Sequence, residues 1–387
     1  MVSSMALCGA LNVFIDPLGV FAAPRISGIN SLKPYLDHHQ DLARWMAAKR
    51  LCPSAAIFGN SRAQIGFDPE HPAFHNAGLE AFNHAIPGSS VNLAFNQLNW
   101  LIEAGCTPKV AILGIEFFDF LGATSPATPL SASNTEPAPR FDGRFFAETV
   151  FSVSGIRDSV NTISLQRAEH PATISPRGFN PLLNYIREVE QSGHHQLFRQ
   201  RAEENLKSWK RKVPRVQLET GMSPDYASLE GFLSLASKSG IKVYVVTYPY
   251  HAEIRMLMER IGLGDVFSEW KKSLLLETQK FSHQGAEIQV WDFSGISRYS
   301  LEVIPAYGDK QTQLEYYWEA GHFKKALGDK MIQQILAGDA GFGVKLQDAM
   351  LNDWLEKDRA QAKSELAQPS SLLTEVNHLL TLQGRKD

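Results

Sequence analysis

Ala55-Ala56-Ile57-Phe58-Gly59-Asn60-Ser61-Arg62 is an apolar run cut short by a glycine and a serine. Such a run has the length and composition of a strand buried on both faces, and the Gly-Asn-Ser that ends it reads as a sharp turn at the strand's carboxyl end. Open α/β sheets place their ligand sites at that edge, so Ser61 is expected to stand there. A serine hydroxyl is inert until a base takes its proton, which directs attention to any histidine with an acidic partner elsewhere in the chain.

Tyr316-Tyr317-Trp318-Glu319-Ala320-Gly321-His322-Phe323 supplies one, with a carboxylate three residues before a histidine. On a tight loop leading into a helix, that spacing lets the Glu319 carboxylate fold back onto one ring nitrogen of His322. The other nitrogen is then left to face a nucleophile. Gly-Asn-Ser early and Glu-x-x-His late resemble the SGNH/GDSL hydrolase superfamily, whose pattern is Gly-Asp-Ser near the first strand and Asp-x-x-His near the end. The resemblance is closest to divergent branches that modify bacterial cell-envelope polymers, such as alginate O-acetylation and teichoic-acid D-alanylation proteins. It implies a three-layer α/β/α fold on a parallel, flavodoxin-like five-stranded sheet, with catalytic Ser61, His322 and Glu319.

The chain has 387 residues, 44% hydrophobic and 20% charged, with a net charge of -3. That balance fits a globular protein of one large or two modest domains and gives no sign of nucleic-acid binding. The three cysteines, Cys8, Cys52 and Cys106, are sparse and none has metal-ligand spacing, so they support neither a disulfide framework nor a zinc site. No metal and no cofactor is expected.

At the N-terminus, residues 5–15 are largely apolar but too few to span a bilayer, and no Lys or Arg precedes them to make a signal-peptide n-region. Two readings stay open for residues 1–50: the remnant of a membrane anchor, through which the protein associates with a membrane, or a short element packing on the domain. A lipoprotein reading of Cys8 is disfavoured by Leu7. Residues 42–50 form an amphipathic helix ended by Cys52-Pro53.

The second strand is expected at 81–86, closing at Pro87-Gly88-Ser89-Ser90, and Ser89 or Ser90 caps a helix to residue 103. A glycine just before a helix lets the backbone approach a ligand, so the Gly88 N–H either helps hold an oxyanion or merely serves a turn. The third strand begins near residue 109 and leads to Glu116. The resembled family has an asparagine there whose amide donates to the oxyanion. An ionised carboxylate cannot, so Asn60, Asn83 and Asn92 become candidate donors. Asp119 reads as a loop cap.

From 122 to 222 the strand pattern lapses, which marks an inserted subdomain or lid. Residues 122–140 are rich in Ser, Thr, Pro and Ala, while 199–215 carry Arg199, Arg201, Lys207, Lys210, Arg211, Lys212 and Arg215. The basic run suits an anionic polymer or membrane surface, but the interleaved Glu203 and Glu204 favour a plain solvated helix. The core pattern resumes with a helix over 224–238, a fourth strand over 242–248, a helix over 266–283 and a fifth strand over 288–293. His251, just past the fourth strand, is read as a loop histidine rather than a substrate contact. The core thus comprises 51–121 and 223–340, and 343–387 form a helical tail that packs on the domain or on a partner protein.

These residues lead to a serine-dependent acyl-ester hydrolase or O-acyltransferase acting on a carbohydrate or cell-envelope polymer. Arg62, Asn60, Gly88, Glu116 and His251 complete its expected neighbourhood. The alternative is a non-catalytic polysaccharide-binding or assembly protein that kept the fold. The expected location is the cell envelope, periplasmic or membrane-associated, with the cytoplasm as the alternative.

Overall fold

The computed structural model describes residues 2–123, 136–140, 142–218, 221–282 and 286–384. A six-stranded sheet runs through the chain: β1 (Ala55–Phe58), β2 (Ala81–Asn83), β3 (Val110–Ile115), β4 (Lys242–Thr247), β5 (Ile288–Asp292) and, after a separate hairpin of β6 (Tyr317–Glu319) and β7 (His322–Phe323), the short β8 (Val344–Lys345). The order in space is β8-β5-β4-β3-β1-β2. The first five strands are parallel, and β8 runs antiparallel along β5. Every residue of β1 and β3 is buried, which is why both read as unbroken apolar runs rather than as alternating ones. The sheet thus has one strand more than the five expected. A two-residue antiparallel edge leaves no periodicity to detect.

The helices are α1 (Val2–Ile15), α2 (Gln40–Leu51), α3 (Ser61–Gly66), α4 (Pro72–Asn76), α5 (Val91–Glu103), α6 (Gly143–Val150), α7 (Val153–Ser164), α8 (Asn184–Ser192), α9 (His194–Trp209), α10 (Pro224–Lys238), α11 (Ala252–Arg260), α12 (Gly264–Ser282), α13 (Lys325–Ala337), α14 (Asp348–Ala367) and α15 (Ser371–Gly384). Ser90 caps α5 by accepting from the Asn92 N–H, while Ser89 turns back to the Gly59 and Ile86 carbonyls. Helices α6 to α9 belong to the insertion between β3 and β4. Within the Ser/Thr/Pro/Ala-rich stretch, residues 124–135 lie outside the described residues.

Among the described residues no helix is long and apolar enough to cross a membrane. Helix α1 packs on α6 and α7. Buried Asn12 fixes that contact, donating to the Val150 carbonyl at 2.9 Å and accepting from the Ser159 hydroxyl at 2.8 Å. The C-terminal helices also lie on the core, with Leu351, Leu355, Val376 and Leu379 buried in it.

Contrary to the expectation from cysteine spacing, Cys52 and Cys106 form a disulfide. Cys52 ends α2 ahead of β1, Cys106 follows α5 ahead of β3, and these two strands are parallel neighbours whose entry loops meet. Sequence distance hides that adjacency. Because the bond closes a loop of about fifty residues, breaking it with Cys52→Ser or with reductant is expected to cost about 2–4 kcal/mol, read as a lower urea midpoint at unchanged slope.

Candidate active site

The carboxyl ends of β1, β3 and β4 meet at one edge of the sheet, as their register requires, with Phe58 beside Leu113 and Ile115 beside Thr247. β1 leaves through Gly59, whose φ of +142° suits glycine. A Cβ there would collide with the Tyr248 hydroxyl. Asn60 then caps α3, accepting from the Arg62 N–H at 3.0 Å, and Ser61 becomes the first residue of the helix. Asparagine and aspartate both serve as caps, which accounts for Asn60 where the resembled pattern has an acid.

His322 comes to Ser61 on β7. Glu319 and His322 are direct partners in the β6–β7 hairpin, so the Glu-x-x-His spacing is that of two facing strand residues joined by Ala320-Gly321. The hairpin is held against α3 where Gly66 packs on the Phe323 ring and Gly328 of α13 abuts the Gly66 carbonyl, positions at which any Cβ would overlap.

Ser61 Oγ lies 2.7 Å from His322 Nε2. On the far side of the ring, Nδ1 is hydrogen-bonded to Glu319 Oε1. Glu319 is 1% exposed and its Oε2 accepts the Gly321 N–H at 2.7 Å. Burial alone would raise the Glu319 pKa, but His322, Arg201 and the Gly321 N–H outweigh it and bring the value down to about 2. The carboxylate is therefore ionised at neutral pH, and it fixes a His322 tautomer whose Nε2 can accept the Ser61 proton.

Arg201 is the residue that sequence reasoning missed. Its Nε lies 3.2 Å from Glu319 Oε1, which makes it a positioning residue acting on His322 through the carboxylate. Helix α9 is not the plain solvated helix expected: Leu197, Phe198, Ala202, Leu206 and Trp209 are buried, and Arg199 pairs with Glu375 of α15 at 3.1 Å. That apolar stripe, flanked by Arg201, was the available signal. Insertion residues Val189 and Leu197 also pack with Ile65 of α3 and Trp318 of β6, and His194 Nδ1 lies 3.0 Å from the Trp318 carbonyl. The insertion therefore buttresses both halves of the site.

Glu116 is the counter-ion of Arg62. It is 5% exposed and its Oε1 accepts the Tyr250 hydroxyl at 2.5 Å. Arg62 Nε donates to the Gly321 carbonyl at 2.6 Å, and its guanidinium lies over the Tyr248 and Tyr250 rings. Burial works against the Arg62 charge, yet Glu116, Tyr250 and Glu319 more than offset it and raise its pKa. One side chain thus joins the serine helix, the histidine hairpin and the β3 exit. Asp119, just beyond, has its pKa pushed up to about 8 by burial and by Glu116.

Gly88 sits exposed in the turn after β2, at φ +72°, with the Ser89 N–H donating to the Ile86 carbonyl at 3.2 Å. Ser89 Oγ and the Ile86 N–H both donate to the Gly59 carbonyl at 3.1 Å, which ties this turn to the serine loop. Asn83 does not suit the donor role, because its amide already serves the Ala63 and Phe67 carbonyls. Asn92 lies in the first turn of α5. His251 is buried as the cap of α11, accepting from the Glu253 N–H and meeting the Glu302 carbonyl at 2.8 Å, so both ring nitrogens are engaged within the protein. Burial lowers its pKa to about 4.

Among the described residues no group of three or more His, Cys, Asp or Glu side chains is placed to hold a metal ion. The sequence matches no family model, and no curated protein is significantly similar to it.

Proposed function

We propose that the protein is a serine-dependent acyl-ester hydrolase or O-acyltransferase acting on a carbohydrate or cell-envelope polymer. The observation that carries this reading is the Ser61 hydroxyl 2.7 Å from His322 Nε2, with Nδ1 held by a buried, ionised Glu319. A binding protein that kept only the fold has no need of that alignment. The order β2-β1-β3-β4-β5 of the parallel strands is in keeping with a flavodoxin-like core of the SGNH type.

Ser61 Oγ attacks the acyl carbonyl while His322 Nε2 takes its proton. The carbonyl π bond opens to an oxyanion, and collapse of this intermediate expels the alcohol, which leaves with the proton from His322. The acyl-serine is then resolved by water in a hydrolase or by a sugar hydroxyl in a transferase. The N–H groups of Ser61 and Gly88 and the Asn60 Nδ2 are the proposed oxyanion donors, each worth about 10²–10³ in rate where such donors have been removed. Glu116 takes no part in the oxyanion site; as partner of Arg62 it aligns the serine helix with the histidine hairpin.

The Cys52–Cys106 disulfide supports an oxidising location such as the periplasm or cell surface. The carbohydrate substrate rests on the resemblance to envelope-polymer proteins.

Labelling with a fluorophosphonate probe tests the proposal. Wild-type protein is expected to label at one site, and Ser61→Ala and His322→Ala are expected to abolish labelling while keeping the wild-type circular dichroism spectrum. Absence of labelling in well-folded wild-type protein overturns the proposal and leaves the binding or assembly role.

A further inference from the structure

A cavity of about 320 Å³ lies where the N-terminal segment, α2 and residues 174–178 of the insertion meet. Four cationic side chains line it, Arg25, Lys33, Arg44 and Arg50, against one carboxylate, Asp16. Buried cations are ordinarily matched by anions, because an unpaired charge removed from water is expensive. Asp16, whose carboxylate also accepts the Phe21 and Ala23 N–H groups at 3.1 and 3.2 Å, offsets one of the four charges and leaves three cations over among the lining residues.

Arg44 gives the cavity its direction. It is 4% exposed, and its Nη1 is tied to the Asn83 and Gly178 carbonyls at 2.5 and 2.7 Å. Its Nε and Nη2 are buried with no partner among the described residues. Those two nitrogens form one edge of the guanidinium, with their N–H bonds pointing the same way, the edge that grips an oxyanion through two parallel hydrogen bonds. The neighbouring cations are fixed in place. Lys33 Nζ donates to the Ile15 and Asp16 carbonyls at 2.7 and 2.8 Å, and Arg25 Nη1 donates to the Ser31 and Ile174 carbonyls at 3.1 and 3.2 Å.

We propose that this cavity binds the phosphoryl group of an anionic ligand, with the Nε/Nη2 edge of Arg44 gripping two phosphoryl oxygens and Lys33, Arg25 and Arg50 balancing its charge. A dianion suits four cations facing one acid better than a single carboxylate does. Burial lowers the pKa of Lys33 to about 8 and of Arg44 to about 9, and Asp16 near the first and Asp41 near the second offset it only in part. The site is separate from the Ser61 chemistry and does not depend on it. The same phosphoryl chemistry is offered by a soluble phosphate ester and by a lipid headgroup.

Calorimetric titration of the full chain with inorganic phosphate and with glycerol phosphate, at ionic strength held constant with chloride, tests the proposal. Saturable binding is expected, weakened about tenfold or more by Arg44→Lys, which keeps the charge but loses the paired edge. Arg50→Gln alters the exposed member of the four, leaves the buried hydrogen bonds intact and is expected to weaken binding several-fold; it keeps the test decisive if Arg44→Lys fails to fold. Phosphatidylcholine vesicles containing phosphatidic acid form the second arm. Binding of glycerol phosphate alone identifies a soluble ester, and binding of the vesicles alone, weakened by the same variants, identifies a headgroup. Binding of neither by folded wild-type protein, or affinities unchanged in the folded variants, overturns the proposal.

Discussion

Glu319→Gln is expected to slow fluorophosphonate labelling of Ser61, and turnover of any ester substrate, by about 10⁴-fold. The amide can present its NH₂ group to His322 Nδ1, which places the ring proton on Nε2, and an Nε2–H cannot accept the Ser61 proton. The loss thus arises from the wrong tautomer on an otherwise intact geometry. Glu319→Asp, which restores the acid of the resembled pattern, is expected to recover much of the rate, and a rate equally low in both variants would show that the longer reach of Glu319 is needed as well as its charge.

The same substitution has a pH signature. Glu319 has a pKa of about 2 in the folded protein against an ordinary 4.5, so its ionised form favours the folded state. That contribution is complete above pH 4.5 and is lost as pH falls from 4.5 towards 2. The shift corresponds to roughly 3 kcal/mol at neutral pH. Glu319→Gln is therefore expected to be less stable than wild type at pH 7, with the gap closing in acid. Urea midpoints measured across pH 3–7 give the check. Kinetics belong well below the melting temperature, so that the two effects separate.

Local signals carried the legible part of this molecule. The run ending in Gly-Asn-Ser reads as a buried strand because β1 lies between β2 and β3, and its neighbours leave no polar face. Glu-x-x-His reads as a carboxylate–imidazole pair because two residues suffice to turn the β6–β7 hairpin. What escaped the sequence depends on distant segments meeting. Arg201 reaches Glu319 from a helix whose apolar stripe signals that it docks but not against what, and Glu116 meets Arg62 only because β1 and β3 end side by side. A glutamate in place of an asparagine looks like a lost donor in the sequence, and its partner gives it a different job. The disulfide was hidden for the same reason, and the β8 edge because two residues carry no periodicity.

Lys271→Met is expected to destabilise the protein by about 3–5 kcal/mol, because it leaves a buried carboxylate without its cation. Lys271 is 0% exposed and lies 2.7 Å from Asp292 and 3.0 Å from Asp358. Arg255 pairs with Asp358 at 3.2 Å, so the two cations and two anions are balanced as they stand. Asp292 ends β5 and accepts from Thr247 Oγ1 at 2.7 Å and from Trp354 Nε1 at 2.9 Å, which joins β4, β5 and α14 in one buried network. Burial alone would raise the Asp292 pKa, but Lys271, Ser294 and Thr247 hold it below the usual carboxylate range. Its contribution to stability is therefore present above pH 3.8 and lost in acid. Without Lys271 the carboxyl takes up a proton at higher pH, so the damage is expected to be greatest at neutral pH and to shrink as pH falls. Adding Asp292→Asn to Lys271→Met removes the orphaned charge and is expected to restore more than half of the lost stability, read from urea midpoints of all four combinations. A double variant no more stable than Lys271→Met would place the cost in packing around the lysine stem instead. Because Thr247 leads directly into Tyr248 and Tyr250, which flank Arg62, the network also steadies the sheet edge on which Ser61 stands.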